Sequence, residues 1–476
     1  MRGTRQWIVA FGLMMLMSLS SAQILTEPFL DTDWPTWGAD SRRSHFNPNA
    51  TQSIDNPAVK WVITGGALDE PAFDGDFLWV PRNGLNRRII EYAFVNANSG
   101  LLDGTFGPFQ GRAATPAFLN ADIVVVDSNG FLVTEIPSIA FMLSGGQYDC
   151  TLFSPSPDPN FAPDVFWTIR GIPAYRTGFG ALTDGFYIYP VFADNFGNIV
   201  FLFLIWIVEV NDSFEIQEIT ADYGGFIFDQ IGSAVHSITS TTSSNLVVMG
   251  FHNGLIVAID FNIFDYAWFT TVTDLSNDEV VSDAFDRPLV ITSDETQVIA
   301  CATNSGRVYG VNVADGTRNW EFQAGKPIMA GPSIGPDPSN GDEDTVYIVV
   351  RENRTQSAVV AIRASDGTQK WKRLLPNVSL CTPSIDGNGV LYLGDDRGFV
   401  YSLAPSGAIR WTSFVSAPVR VAPVITFIDD VTQVHVAAGN RFMFTFVDQS
   451  TLAFTPGVGA TPIPGGRAGN STSVGR

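Results

Sequence analysis

Short apolar runs alternate with polar turns at a nearly even spacing over much of this chain, most clearly after residue 246. The sharpest instance is residues 307–320, Arg-Val-Tyr-Gly-Val-Asn-Val-Ala-Asp-Gly-Thr-Arg-Asn-Trp. It returns in altered form at 358–371 and 399–411, and more faintly at 255–268, where Phe264 replaces the turn glycine. Each copy reads as an apolar strand, a tight turn and a short strand closed by a tryptophan: Trp268, Trp320, Trp371 or Trp411. Gly316, Gly367 and Gly407 sit in the turns, where Asp-Gly or Ser-Gly supplies the positive φ that a tight hairpin needs. One supersecondary unit copied at a fixed period predicts a repeat architecture. No long amphipathic helical pattern is present. The continuous apolar run 199–208 would reach only about 15 Å as a helix, so it predicts a strand covered on both faces.

A second turn recurs one hairpin earlier in each unit, at Gly84, Gly130, Gly197, Gly254, Gly306, Gly398 and Gly439, with 352–355 supplying the missing copy. This spacing predicts an all-β fold, an eight-bladed β-propeller of four-stranded antiparallel blades over residues 63–457, roughly 49 residues per blade. Seven blades, with one of the first three units irregular, is the alternative. The interval from Gly130 to Gly197 is too long for one blade, and its excess lies in the Pro-rich stretch 154–163. Tyr148, Phe153, Phe161, Phe166 and Trp167 flank that stretch. They either form a contact patch or pack a blade. The repeated tryptophans are read as structural, filling the wedge where stacked sheets diverge toward the rim.

The ends of the chain refine the picture. Arg2 and Arg5, an apolar run over 7–16 and then Ser20, Ser21 and Ala22 predict a signal peptide, residues 1–22. A leading segment, 23–62, and a Gly/Pro/Ser-rich tail, 458–476, expected to be disordered, complete the division. The expected location is extracellular, or periplasmic in a bacterium, with no membrane insertion. Charge narrows the partners: 48 acidic against 27 basic residues leave −21, a surface that repels phosphate backbones, so nucleic acid is not expected. Cys150, Cys301 and Cys381 allow at most one internal disulfide and include no Cys-x-x-Cys pair. Asn49, Asn211, Asn353, Asn377 and Asn470 open glycosylation sequons.

The pattern Ala-x-Asp followed by Gly-x-x-x-Trp resembles the repeat of the quinoprotein (PQQ-like) β-propellers. Trp34-Pro-Thr-Trp37-Gly38, with Asn56-Pro-Ala-Val-Lys-Trp61, is similar to the segment that opens many of them. That family includes PQQ-dependent alcohol dehydrogenases and non-enzymatic members such as a bacterial outer-membrane assembly scaffold. A dehydrogenase of this kind implies a polyanionic quinone, calcium, a stacking ring, a carboxylate base and a pair of adjacent cysteines, and this chain has no such pair. Arg82, Arg87, Arg88, Arg112, Arg170 and Arg176 offer cations without a spacing that brings them together. Residues 337–344 alternate oxygen-bearing side chains around a glycine, which suits either calcium or a solvated acidic hairpin. His45, His236, His252 and His435 stand beside no Gly-x-Ser-x-Gly elbow, and His435 lies in an apolar strand as a core histidine would. The neighbouring pairs Asp395-Asp396 and Asp429-Asp430 would point to opposite faces of a strand. No catalytic, cofactor-binding or metal residue is therefore assigned. The expectation is a secreted, non-catalytic binding or scaffold protein that engages protein or glycan through the loops of one face. The alternative is a PQQ- and calcium-dependent alcohol or sugar dehydrogenase. A third class, a carbohydrate-active lyase or hydrolase, would need two carboxylates facing each other in a polar funnel.

Overall fold

The computed structural model describes residues 33–452 except 35–37, 41, 85–88, 339–340, 342 and many short stretches within 111–286, where strands are mostly described without their side chains. Among the described residues the fold is all-β, with a short 3-10 turn at Gln449–Thr451. Six sheets are four-stranded and antiparallel. Sheet A holds Ala72–Phe73, Phe77–Asn83, Ile89–Asn96 and Leu102–Gln110. Sheet D holds Val235–Ser240, Leu246–Phe251, Leu255–Asp260 and Asp265–Thr271. Sheet E follows with Val290–Ile291, Gln297–Ala302, Arg307–Asn312 and Arg318–Gln323, and sheet F with Ile328–Asp337, Glu343–Arg351, Ser357–Arg363 and Gln369–Leu374. Sheet G is Ser384–Ile385, Leu391–Gly394, Phe399–Leu403 and Ile409–Phe414.

Sheet H takes Val424–Ile428, Val431–Ala438 and Phe442–Asp448 from the end of the chain and Pro57–Thr64 from its start, paired Pro57 to Asp448 through Thr64 to Phe442. Residues 57–62, assigned above to the leading segment, are thus part of a sheet. Between A and D the pattern is less regular. Sheet B is built on Ile139–Ser144, Tyr148–Phe153 and Trp167–Arg170, and sheet C on Tyr187–Phe192 and Ile199–Val210. In C, Ile199–Val210 pairs in parallel with Ile123–Asp127, a departure from the all-antiparallel blades expected. The apolar run 199–208 is indeed a strand.

The burial of each strand follows from its place in its sheet. Leu246–Phe251 and Gln297–Ala302 are buried throughout, because neighbouring sheets cover both of their faces. Outermost strands such as Ile409–Phe414 expose some side chains and bury Trp411. First strands of successive sheets touch: D to E, E to F, F to G and G to H. The apolar clusters accordingly cross sheet boundaries, as where Cys301 and Trp320 of E meet Val346 and Val360 of F.

Candidate functional site

From sheet D round to sheet A, a tryptophan ties each sheet to the next. Trp268 Nε1 donates to the Val313 carbonyl at 2.7 Å, Trp320 to Ala364 at 2.8 Å, and Trp371 to Pro405 at 2.6 Å. Trp411 reaches the Ile54 carbonyl at 2.8 Å, just before the strand that completes sheet H. Trp61 in that strand then donates to the Ala97 carbonyl of sheet A at 3.0 Å. The last sheet is joined to the first, so the sheets run round an axis.

The turn glycines press on the indoles of the preceding sheet. A Cβ on Gly316 would lie 2.5 Å from Trp268, on Gly367 2.4 Å from Trp320, and on Gly407 2.7 Å from Trp371. Gly100 makes the same approach to Trp61, at 2.5 Å. Trp268, Trp320 and Trp411 are buried and Trp371 is half-buried.

At the centre lies a segment that no repeat predicts. Residues 33–51 bond to the first, innermost strand of five sheets. Phe73 N–H donates to the Trp34 carbonyl at 2.7 Å, Ile291 to Arg42 at 3.1 Å, Ile334 to Ser44 at 2.9 Å and Ile385 to His45 at 2.9 Å. Asn47 Nδ2 donates to the Ile425 carbonyl at 2.9 Å. Only a chain on the axis can reach all five strands.

The tip of this plug is pinned by Glu70. Its Oε1 accepts from Trp34 Nε1 at 2.6 Å and from Gly38 N–H at 2.8 Å, and its Oε2 lies 3.3 Å from His45 Nε2. Gly38, Ala39, Arg43 and His45 all hold positive φ, a strained path kept by these bonds. Trp34 and His45 are fully buried and Arg43 is 1% exposed. The resemblance of the Trp34 segment to a propeller opening gave the only hint in the sequence, and nothing there pointed to Glu70.

The connections divide into two faces. One, the crossover face, carries the links between sheets and the middle hairpin of each sheet. Backbone bonds join these in a belt: Ala324 N–H to Gly306, Arg351 to Pro327, Asp396 to Val378, Val415 to Gly398, Gly439 to Pro418 and Gly65 to Arg441. The other, the hairpin face, carries the first and last hairpins, joined by bonds such as Ala364 N–H to Asp344 at 3.0 Å and Ser293 N–H to Asp344 Oδ2 at 2.6 Å.

The other residues singled out from the sequence are dispersed. Arg82 pairs with Glu91 at 2.8 Å, while Arg87, Arg88 and Arg176 and the side chains of Arg112 and Arg170 lie outside the described residues. Asp395 is fully buried in a turn, taking Tyr401 Oη at 2.6 Å and Asn377 Nδ2 at 2.8 Å, while Asp396 pairs with Arg420 at 2.8 Å. Asp429 and Asp430 form the turn between Val424–Ile428 and Val431–Ala438, both with positive φ. Both pairs occupy turns and not strands, so the strand geometry expected for them does not apply.

Residues 337–344 are not simply a solvated loop: Asp337 is 3% exposed and bonded to Lys370, and Glu343 takes Arg363 at 3.1 Å. Among the described residues no group of His, Cys, Asp and Glu could hold a metal ion. His435 is buried between Thr426 Oγ1 at 2.9 Å and Thr445 Oγ1 at 2.6 Å, and it stacks on Trp61. Burial, with the Lys60 charge second, pushes its pKa down to about 3.

Cys301 and Cys381 are free, buried thiols, and burial pushes Cys381 up to about 12. Asn49 and Asn353 are exposed, Asn211 and Asn377 half-buried, and Asn470 lies outside the described residues. So do His252, the stretch 154–163, and the side chains of His236, Cys150 and the aromatic group around that stretch.

Sheets packed face to face round an axis and tied by indoles define a β-propeller. The family model described as outer membrane protein assembly factor BamB matches residues 228–373 and 285–456. Over residues 228–456 the repeats are similar to those of PQQ-like repeat proteins. A search of curated proteins finds no match. Among solved structures, quinohemoprotein alcohol dehydrogenase from Comamonas testosteroni superposes with a TM-score of 0.60 at 12% identity, over 87% of this chain and 80% of that one. The quinohemoprotein alcohol dehydrogenase ADHIIG from Pseudomonas putida HK5 gives 0.60 at 10% identity over the same shares, 87% and 80%. BamB from Moraxella catarrhalis gives 0.48 at 13% identity, over 82% of this chain and 99% of that one. At such identities the likeness to the two dehydrogenases is one of fold. Among the described residues no helix is long and apolar enough to cross a membrane.

Proposed function

We propose that this chain is a secreted, eight-bladed PQQ-like β-propeller that acts as a non-catalytic binding or scaffold protein, engaging protein or glycan through the loops of one face. The observation that carries the reading is the axial plug. The described residues of 33–51 occupy the axis with their backbone and with Trp34, Arg43 and His45, all buried. Glu70, the carboxylate at the plug's tip, is committed to Trp34 and Gly38, and not held ready as a base. This part of the axis does not fit a flat polyanionic cofactor, which needs open cations and room to stack. Six four-stranded sheets, with B and C between A and D, support eight blades, with 57–64 closing the ring.

The test is reconstitution. Purified protein is mixed with PQQ and calcium and assayed for dye reduction with simple alcohols and sugars. The scaffold reading expects no turnover above a heat-denatured control. Substrate-dependent reduction would replace it with the dehydrogenase.

A further inference from the structure

The two faces differ in charge, and the difference is one of position, not of composition. On the crossover face between Gly306 and Arg441, Lys326, Arg351, Arg354, Arg397, Arg420 and Arg441 are all exposed, distributed over successive turns and links. The carboxylates in the same turns are neutralised or hidden. Glu352 pairs with Lys372, Asp396 pairs with Arg420 at 2.8 Å, and Asp395 is fully buried. On the hairpin face the turns 292–296, 313–317, 337–344, 364–368, 386–390 and 428–431 contain no lysine or arginine at all. A chain with a net charge of −21 thus keeps a positive arc on one side.

We propose that this arc is the docking surface for an acidic polypeptide, a reading that rests on the binding-protein function above and names its partner class. Complementary charge is the first ground. An arc of cations focuses field toward an anionic partner, while the acidic remainder of the molecule repels it from other orientations. The second ground is what borders the arc. Leu374 and Phe414, 56% and 59% exposed, stand where the outermost strands of sheets F and G meet this face. The Phe414 ring packs 5.1 Å from that of Phe399, which holds it in place. Arginines beside exposed aromatic and aliphatic side chains are the composition of protein-binding hot spots. A chain can lie across the turns and fold over onto the rim, whereas a flat bilayer meets the turns alone, and the described turn tips there offer it no large apolar side chain.

The experiment follows fluorescence anisotropy of labelled poly-L-glutamate with full-length protein at low ionic strength, where the Debye length is about 30 Å at 0.01 M salt. Vesicles of phosphatidylcholine and phosphatidylglycerol are the second probe. The wild type is expected to bind poly-L-glutamate, less so as salt rises. The triple variant Arg354→Glu, Arg397→Glu, Arg441→Glu should bind it roughly tenfold more weakly or worse at an unchanged melting temperature. Phe414→Ser should weaken binding without changing the salt dependence. Failure of the wild type to bind, equal binding by the triple variant, or binding to the vesicles alone overturns the proposal. Dye reduction is run on the same samples: turnover there removes the scaffold reading, while lost binding without turnover removes only the docking surface.

Discussion

Replacing Gly367 by alanine probes the feature on which the ring depends, the fit of a turn against the indole of the preceding sheet. Two costs are separable. Gly367 has φ +73°, and a Cβ in the left-handed region costs about 1–2 kcal/mol. The same Cβ would stand 2.4 Å from Trp320 Cε3 and 2.7 Å from Cδ2, inside a contact held by the Trp320 bonds to Ala364 and Gln297, both 2.8 Å. Forcing the indole aside adds about 1–3 kcal/mol of overpacking. Gly325 supplies the control, since its φ is +67° and nothing lies within 4 Å of its added Cβ. Gly325→Ala should therefore lose about 1–2 kcal/mol and Gly367→Ala about 2–5 kcal/mol. The assay is urea unfolding followed by tryptophan fluorescence and by far-UV circular dichroism, with midpoints compared in one buffer. In a Trp320→Ala background, which itself loses about 3–5 kcal/mol, the extra cost at residue 367 should vanish. Equal losses for the two glycines in the wild-type background would refute the idea that indoles wedge the sheets together.

Other outcomes follow from the same geometry. His435 is neutral in the fold, with a pKa near 3 against about 6.5 when unfolded. Its contribution to stability is whole above pH 6.5 and is lost as pH falls from there toward 3, about 3 kcal/mol by pH 4. His435→Gln should flatten that acid limb in a pH series of unfolding midpoints, and an unchanged slope would show that another group sets it. Glu70→Ala should release the plug, leaving two buried donors without their acceptor at about 1–3 kcal/mol each. Limited proteolysis would then cut within residues 33–51, whereas Glu70→Gln, which keeps a carbonyl acceptor, should remain protected. In a Cys150→Ser variant, native protein at pH 8 should leave Cys301 and Cys381 unreactive to an aromatic disulfide reagent, and both should react on unfolding. Rapid native labelling would contradict their burial.

Much of the fold is local and so was legible along the chain. Asp-Gly turns, continuous apolar strands and a tryptophan at a constant offset from Gly316, Gly367 and Gly407 are short-range features, and a repeat prints them several times over. The irregular early sheets were harder to read. The parallel pairing of Ile123–Asp127 with Ile199–Val210 joins segments far apart in sequence, and no turn signal marks it. The leading segment was also misjudged, because the partner that makes residues 57–64 a strand is Phe442–Asp448 at the other end of the chain.

The sequence alone determined that these residues would form copied hairpins needing large side chains between them, since strand period, turn chemistry and indole spacing are properties of neighbours in the chain. Only the tertiary structure decided that the described residues of 33–51 lie on the axis, that Glu70 pins them, and that exposed arginines from separate turns share one face. Those arrangements depend on ring closure, which brings positions hundreds of residues apart within hydrogen-bonding distance, and no periodicity along a chain encodes which of them will meet.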